Sequence, residues 1–275
     1  MVTISGFGDE IDADLKTQMD VMEAEGIRHI EFRNVWGQSV ETLNDDQMQT
    51  AKKLLDERGF RISSIGSGLG KIGVHDDFDA HLKRCARYIE VAKYFETDRL
   101  RVFSFFIPKG ESPRDHRDEV MRRMRAMVDM AEREGVILAH ENERDIYGEK
   151  PPECRDLLDT IASPNFRAIF DFANFVQAGV RPLAEGWELL KDDIDYFHIK
   201  DARLSDGKVQ PAGEGDGDVR AILTEKLSSG WEGVLSLEPH LKHAGRAGGY
   251  TGPEAFGVAV AALRKILDDI GVKYA

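Results

Sequence analysis

Cysteine is scarce. Cys85 and Cys154 fall far apart on helix-like segments, and no Cys-x-x-Cys occurs. A disulfide framework is therefore excluded, and two isolated thiols suit a reducing compartment. Long apolar runs are absent too: none approaches the roughly 18 residues of a membrane span. The first residues, Met1-Val2-Thr3-Ile4-Ser5, lack a basic region and run straight into a strand pattern, so no secretory leader is expected and the expected location is cytoplasmic. Positive charge is in deficit, with 37 Lys and Arg against 50 Asp and Glu. The resulting net charge of −13 argues against a nucleic-acid partner, which needs a clustered basic face. Linkers and low-complexity stretches are missing, so residues 1–275 are expected to form one domain.

What the chain has is alternation. Strand-like runs occupy 3–7, 29–35, 61–66, 100–105, 136–142, 166–172, 194–200 and 234–239. Amphipathic stretches fill the gaps at 14–25, 45–58, 79–95, 117–134, 152–161, 183–190, 219–227 and 253–270. In 117–134, Val120, Met124, Met127 and Val128 recur at helical spacing while Arg and Glu take the other face. Gly26, Gly59, Gly135, Gly230 and Gly271 follow helices as C-terminal stops, and Pro253 fits a first helical position. Strict strand–helix alternation implies parallel strands with right-handed crossovers. A doubly wound open sheet would need a glycine-rich phosphate turn after strand one, and Ser5-Gly6-Phe7-Gly8-Asp9-Glu10 is too acidic for that. The expected fold is α/β, a single (β/α)8 TIM barrel, for which 275 residues is an ordinary length.

Four of the apolar runs end on a metal-ligating side chain: Glu141, Asp171, His198 and Glu238. The steps between them are 30, 27 and 40 residues, each the length of one βα unit. In a βα barrel the C-terminal strand ends build the active site, so these residues aim at a common point. Three converging carboxylates repel one another unless a cation compensates. An oxygen-rich set with one imidazole suits a hard divalent ion, Mn²⁺ first, with Mg²⁺, Co²⁺ or Zn²⁺ tolerated. Four protein ligands on a six-coordinate ion leave room for a hydroxyl–carbonyl pair.

Strand periodicity assigns the neighbours. Glu143 shares the inward face with Glu141 while His140 turns to the helices; Tyr196 and Lys200 share the face of His198; Ser236 and His240 share that of Glu238. Asn174 lies one turn beyond Asp171, within reach of a ligand. Lys200 is placed either against a developing oxyanion or a substrate carboxylate, or as the partner of Glu143 or Asp201.

These segments resemble the xylose isomerase-like barrel superfamily of sugar isomerases and epimerases, which includes ketose 3-epimerases, inosose dehydratase and, more distantly, endonuclease IV. The resemblance lies in Leu138-Ala139-His140-Glu141-Asn142, Phe170-Asp171-Phe172-Ala173-Asn174, Phe197-His198-Ile199-Lys200-Asp201, Pro211-Ala212-Gly213-Glu214-Gly215 and Leu235-Ser236-Leu237-Glu238-Pro239-His240. It implies that Glu141, Asp171, His198 and Glu238 carry the metal, and that Glu141 and Glu238 also move the proton. The implied function is a metal-dependent sugar isomerase or epimerase working through a cis-enediolate, with a dehydratase of a keto-sugar or keto-inositol as the alternative on the same scaffold. The chain departs from the ketose 3-epimerase pattern at Asn174, where those enzymes have a substrate-binding His. The expected partner is a small carbohydrate, bound with help from Asn174, Lys200, Glu143, His240 and Arg246; homo-oligomerisation is left open.

Weaker signals complete the reading. Gly213-Glu214-Gly215-Asp216-Gly217 is too acidic for a phosphate loop and reads as a flexible lip, with Asp218 capping the next helix. Residues 242–251 are basic and glycine-rich before a helix, where Lys242 and Arg246 would meet a phosphate or carboxylate. Glu31 and Arg33 share one strand face toward the substrate, and Trp36 and Phe106 are placed as an apolar wall. His75, His81 and His116 read as surface residues.

Overall fold

The structure, a computed structural model, describes all residues except 246 and 247, and side chains outside 243–249. Eight parallel strands close a barrel: β1 (Thr3–Phe7), β2 (His29–Phe32), β3 (Arg61–Ile65), β4 (Arg99–Val102), β5 (Ile137–Glu141), β6 (Phe166–Asp171), β7 (Ile194–Ile199) and β8 (Val234–Leu237). Each strand pairs with its sequence neighbours, and β8 pairs with β1 through Ser5 opposite Ser236. Around them lie α1 (Leu15–Ala24), α2 (Asp45–Glu57), α3 (Phe78–Tyr94), α4 (Arg117–Glu134), α5 (Pro151–Ile161), α6 (Phe172–Gln177), α7 (Glu188–Leu190), α8 (Val219–Ser228) and α9 (Pro253–Asp269). The expected TIM barrel is therefore what forms.

Two apolar layers follow from the period of two along each strand. Leu138, Phe170, Phe197, Leu235 and Leu237 join the large cluster between sheet and helices. The opposite faces of β5, β6 and β7 send Ala139, Ile169 and Tyr196 into the barrel. That interior is also polar. Ser63 Oγ lies 2.6 Å from Ser5 Oγ and 2.9 Å from the Tyr196 hydroxyl, so the floor beneath the strand ends is a hydrogen-bonded layer. Helix boundaries follow local chemistry: Asn44 and Gln47 form a reciprocal capping box at α2, and Gly135 closes α4 at φ +70°.

Several elements differ from expectation. The second strand stops at Phe32, because Arg33 turns in toward acidic partners; Asn34–Val35 then forms a hairpin with Gln38–Ser39. The fourth stops at Val102, and Phe105 adopts φ +68°. The stretch expected as a helix at 183–190 is helical, but it opens as a π-helix, Pro182–Trp187, before running into α7. Asn174 lies inside α6, directly after β6, and not in a loop. His81 and His116 are buried: the His81 ring accepts from Gly70 N–H at 2.8 Å, and His116 Nε2 lies 2.7 Å from Glu111.

The acidic glycine stretch is an anchored loop. Asp201 receives the backbone N–H groups of Gly213, Gly215 and Gly217 at 3.0, 3.0 and 2.9 Å, and that of Ala202 at 2.8 Å. A Cβ on Gly215 would stand 2.4 Å from both the Ala202 carbonyl and the Asp201 carboxylate, so only glycine permits the wrap. The loop is built like an anion cradle whose anion is its own Asp201. Asp218, at φ +55°, makes no side-chain cap to α8. We predict that Asp201→Ala, which strands those amides, lowers stability by about 3 kcal/mol in urea unfolding and exposes 211–218 to proteolysis.

Candidate active site

Each donor arrives by a strand end. Glu141 closes β5, Asp171 closes β6, His198 is the penultimate residue of β7, and Glu238 follows β8. One ligand atom from each lies within 4.8 Å of the others, and all four side chains are buried. His198 Nδ1 stands 3.2 Å from Glu141 Oε1, 3.7 Å from Glu238 Oε2 and 4.0 Å from Asp171 Oδ2.

Local bonds aim these atoms. Asp171 uses Oδ1 to cap α6 through Asn174 N–H at 2.8 Å, which leaves Oδ2 toward the cluster. The Asn142 side chain ties β5 to β6, donating to Asp171 O at 3.0 Å and accepting from its N–H at 2.9 Å. The Asn174 amide donates to Glu141 Oε1 at 3.1 Å and Asn142 O at 2.9 Å. Its observed partner is thus a member of the cluster, reached because α6 begins without a loop.

The far nitrogen of His198 lies 3.2 Å from both oxygens of Glu31, which is fully buried on β2. A carboxylate only accepts, so Nε2 carries a proton and Nδ1 is the nitrogen free to ligate. Glu141 Oε2, Asp171 Oδ2 and His198 Nδ1 are buried and make no hydrogen bond. Convergent O, O and N atoms that make no hydrogen bond and are faced by charged groups alone fit a divalent cation of the Mn²⁺, Mg²⁺ or Zn²⁺ kind.

Cations already surround the cluster. Lys200 Nζ bridges Asp171 Oδ2 at 3.0 Å and Glu238 Oε2 at 3.1 Å. Neither partner expected for it is used: Lys71 pairs with Glu143 at 3.0 Å, and backbone amides hold Asp201. Arg33 joins Asp9 at 2.8 Å, Glu10 at 3.1 Å and Glu238 at 2.7 Å. Arg101, on β4, stands 3.2 Å from Glu141 and 3.6 Å from Glu238. Arg101 leaves little trace in the sequence, its one signal being a lone charge between Leu100 and Val102. His240, held at φ +48°, faces Glu10 at 3.2 Å and Glu238 at 3.4 Å.

These neighbours split the carboxylates. Burial presses Glu141 upward, but His198 and Arg101 outweigh it and bring it down to about 2. Glu238 is likewise held well below the usual range, with Lys200 and His240 overcoming burial. Asp171 goes the other way, to about 7, because burial and the charges of Glu141 and Glu238 outweigh Lys200. His198 rises to about 10: burial opposes its charge, and Glu31 and Glu141 prevail.

A cleft of about 200 Å³ opens over the cluster. Glu141 and Glu238 line it, whereas Asp171 and His198 do not. Lys200, His240, Glu143 and Arg101 also line it. Trp36 packs against the core and Phe106 lines a separate cleft, so the expected apolar wall is absent from this lining. Arg246 lies outside the described residues, and Lys242 is exposed.

A family model described as "Xylose isomerase-like TIM barrel" matches residues 19–266. The chain belongs to that family. A 3-dehydroshikimate dehydratase of Bacillus anthracis is 21% identical over 175 residues, 62% of either chain. A 2-epi-5-epi-valiolone 7-phosphate 2-epimerase of an Actinoplanes species is 35% identical over 101 residues, 37% of this chain and 36% of that protein. The chain thus matches less than two thirds of either relative's length. Among solved structures, a D-tagatose 3-epimerase-like protein superposes with a TM-score of 0.78 at 17% identity, covering 98% of both chains. A xylose isomerase-like TIM barrel protein from Mycobacterium smegmatis in complex with magnesium gives 0.72 at 17%, covering 98% of this chain and 97% of that one. The relatives of this chain thus include an epimerase and a dehydratase. Among the described residues, no helix is long and apolar enough to cross a membrane.

Metal uptake requires His198 neutral and Asp171 ionised, so affinity is expected to rise with pH. Calorimetry in buffers of different ionisation heat should find about two protons released per Mn²⁺ below pH 7 and about one between pH 7 and 10. Glu31→Gln removes the acceptor-only partner of His198 and should weaken Mn²⁺ binding about 10- to 100-fold by the same titration.

Proposed function

We propose that this chain is a divalent-metal-dependent carbohydrate isomerase or epimerase that moves a proton next to a carbonyl. The observation that carries this reading is the division of the four donors: Glu141 and Glu238 both join the cluster and face the cleft, while Asp171 and His198 are enclosed. Asp171 and His198 then serve as ligands alone, and Glu141 and Glu238 as ligands that also exchange a proton with substrate. A bound Mn²⁺, or Mg²⁺, Co²⁺ or Zn²⁺ in its place, would supply Lewis acidity toward a carbonyl and its neighbouring hydroxyl.

The chain's own residues perform the rest. Held low by Arg101, Lys200 and their neighbours, Glu141 and Glu238 are both ionised at neutral pH, so either can act as base. Once one has taken the α-proton, it can return that proton to the adjacent carbon, whereas delivery to the opposite face needs the other carboxylate first to take up a proton from water in the cleft or, at Glu238, from Lys200. Return to the opposite face gives an epimer, and return to the neighbouring carbon gives an isomer. Arg101 touches both carboxylates and keeps charge on each until substrate arrives. Asn174 positions Glu141 through its amide. Glu143, Lys200, His240 and Arg246 are the residues assigned to substrate.

A dehydratase is the second reading, and a specific observation favours it. Lys200 Nζ and His240 Nε2 both lie beside Glu238 on the cleft wall, at 3.1 and 3.4 Å, so a donor stands next to the base to protonate a leaving hydroxyl. The matched dehydratase relative is in keeping with that use.

One experiment separates these readings. Incubating the Mn²⁺-loaded protein with ketoses and inososes in D₂O should place deuterium α to the carbonyl, followed by NMR; no exchange with any of them counts against proton-transfer catalysis. Growth of an ultraviolet-absorbing enone instead of an epimer selects dehydration. Glu238→Gln and Glu141→Gln should each lower exchange about 10²- to 10⁴-fold, with metal content measured on the same samples. His240→Gln should slow elimination more than exchange if the chain is a dehydratase, and slow neither selectively if it is an epimerase.

A further inference from the structure

The cleft's charge is set by the donor cluster and the cations packed against it. Six buried or nearly buried carboxylates, Asp9, Glu10, Glu31, Glu141, Asp171 and Glu238, form one connected network with three cations, Arg33, Arg101 and Lys200. With His198 neutral and Asp171 ionised, as metal uptake requires, the excess is three negative charges, and a divalent ion lowers it to one. Counting His240 as a cation brings the centre to neutrality, never to a positive excess. Farther from the cluster, the lining holds two further ion pairs, Lys71 with Glu143 at 3.0 Å and Arg84 with Glu41 at 2.8 Å. Every described cation in the lining is therefore already matched by a carboxylate.

The outer end has hydrogen-bonding groups of the kind that hydroxyls need. Glu41, at 9% side-chain exposure, is gripped by Arg84 and touches Ser39 Oγ; Ser39 Oγ lies 3.2 Å from the buried Tyr88 hydroxyl. These residues come from the hairpin and turn after β2 and from α3, and they line the same cleft as Glu141 and Glu238. A carboxylate flanked by two hydroxyls accepts and donates in several directions, which suits a polyol and repels a phosphate. At about 200 Å³ the cleft is smaller than the roughly 300–1,000 Å³ typical of drug-sized ligands.

We propose that the cleft takes a small, uncharged, polyhydroxylated ketone, with Ser39, Glu41 and Tyr88 binding the hydroxyls remote from the metal donors, and that it rejects phosphorylated and carboxylated analogues. This rests on the function proposed above and adds the class of substrate. With Lys200 in its place between Asp171 and Glu238, a phosphate or carboxylate entering the centre meets no unmatched side-chain cation among the described residues. A neutral polyol needs none.

The test is calorimetric titration of the intact Mn²⁺-loaded protein with two neutral–charged sets: D-fructose against D-fructose 6-phosphate, and 2-keto-myo-inositol against 3-dehydroshikimate. At least one neutral ketone is expected to bind, with its charged counterpart weaker by about tenfold or more. Glu41→Gln and Tyr88→Phe should each weaken the neutral ligand about three- to tenfold while leaving Mn²⁺ affinity unchanged. Tighter or equal binding of the charged member overturns the proposal. So does the absence of binding by both neutral ketones, or unchanged neutral-ligand affinity in both variants at intact Mn²⁺ binding. Failure of the underlying function is read separately: a neutral ketone that binds with the expected selectivity but never takes up deuterium keeps the binding class and removes the chemistry.

Discussion

The arrangement at the open end of the barrel depends on an excess of buried negative charge. Carboxylates on four strands are forced together by the spacing of the strand ends, and desolvation alone would neutralise them. The chain answers with cations threaded in from other strands: Arg33 from the end of β2, Arg101 from β4 and Lys200 from the end of β7. These keep Glu141 and Glu238 ionised while Asp171, which lacks an arginine, drifts up to about 7. Differences in basicity among chemically similar groups thus arise from which strand faces which.

The layer beneath has its own logic. An ordinary barrel interior is filled with branched apolar side chains. Here Ser5, Ser63 and Tyr196 hydrogen-bond across it, and the Tyr196 and Phe7 rings pack edge-on against His198. Glu31 then fixes the imidazole from behind. The result is an imidazole held by an aromatic collar and a buried carboxylate, with little rotational freedom left.

The eightfold alternation and the four strand-end donors were legible because both are periodic and local. A period of two marks the strand faces, and one βα unit separates each donor from the next. The countercharges were not legible. Arg33 and Glu238 meet across 205 residues, and only barrel closure brings them together. Arg101 sits between two apolar residues in a four-residue strand, too short for its direction to stand out. Lys200 was recognised as inward, but its partners depend on the height of neighbouring strand ends, which sequence spacing does not encode. The glycine-rich lip was misread for a related reason. Its binding partner is Asp201, a dozen residues upstream, and an anion supplied from within the chain leaves no trace in the local pattern.

The Lys200 bridge has a consequence for the assembly of the barrel. An ammonium group tethered to β7 already spans two of the carboxylates that a dissolved ion would claim. The polypeptide consequently carries a provisional counterion of its own. The strand ends therefore come together with part of their charge already neutralised from within the chain, and the barrel does not depend on a dissolved ion to hold these carboxylates side by side.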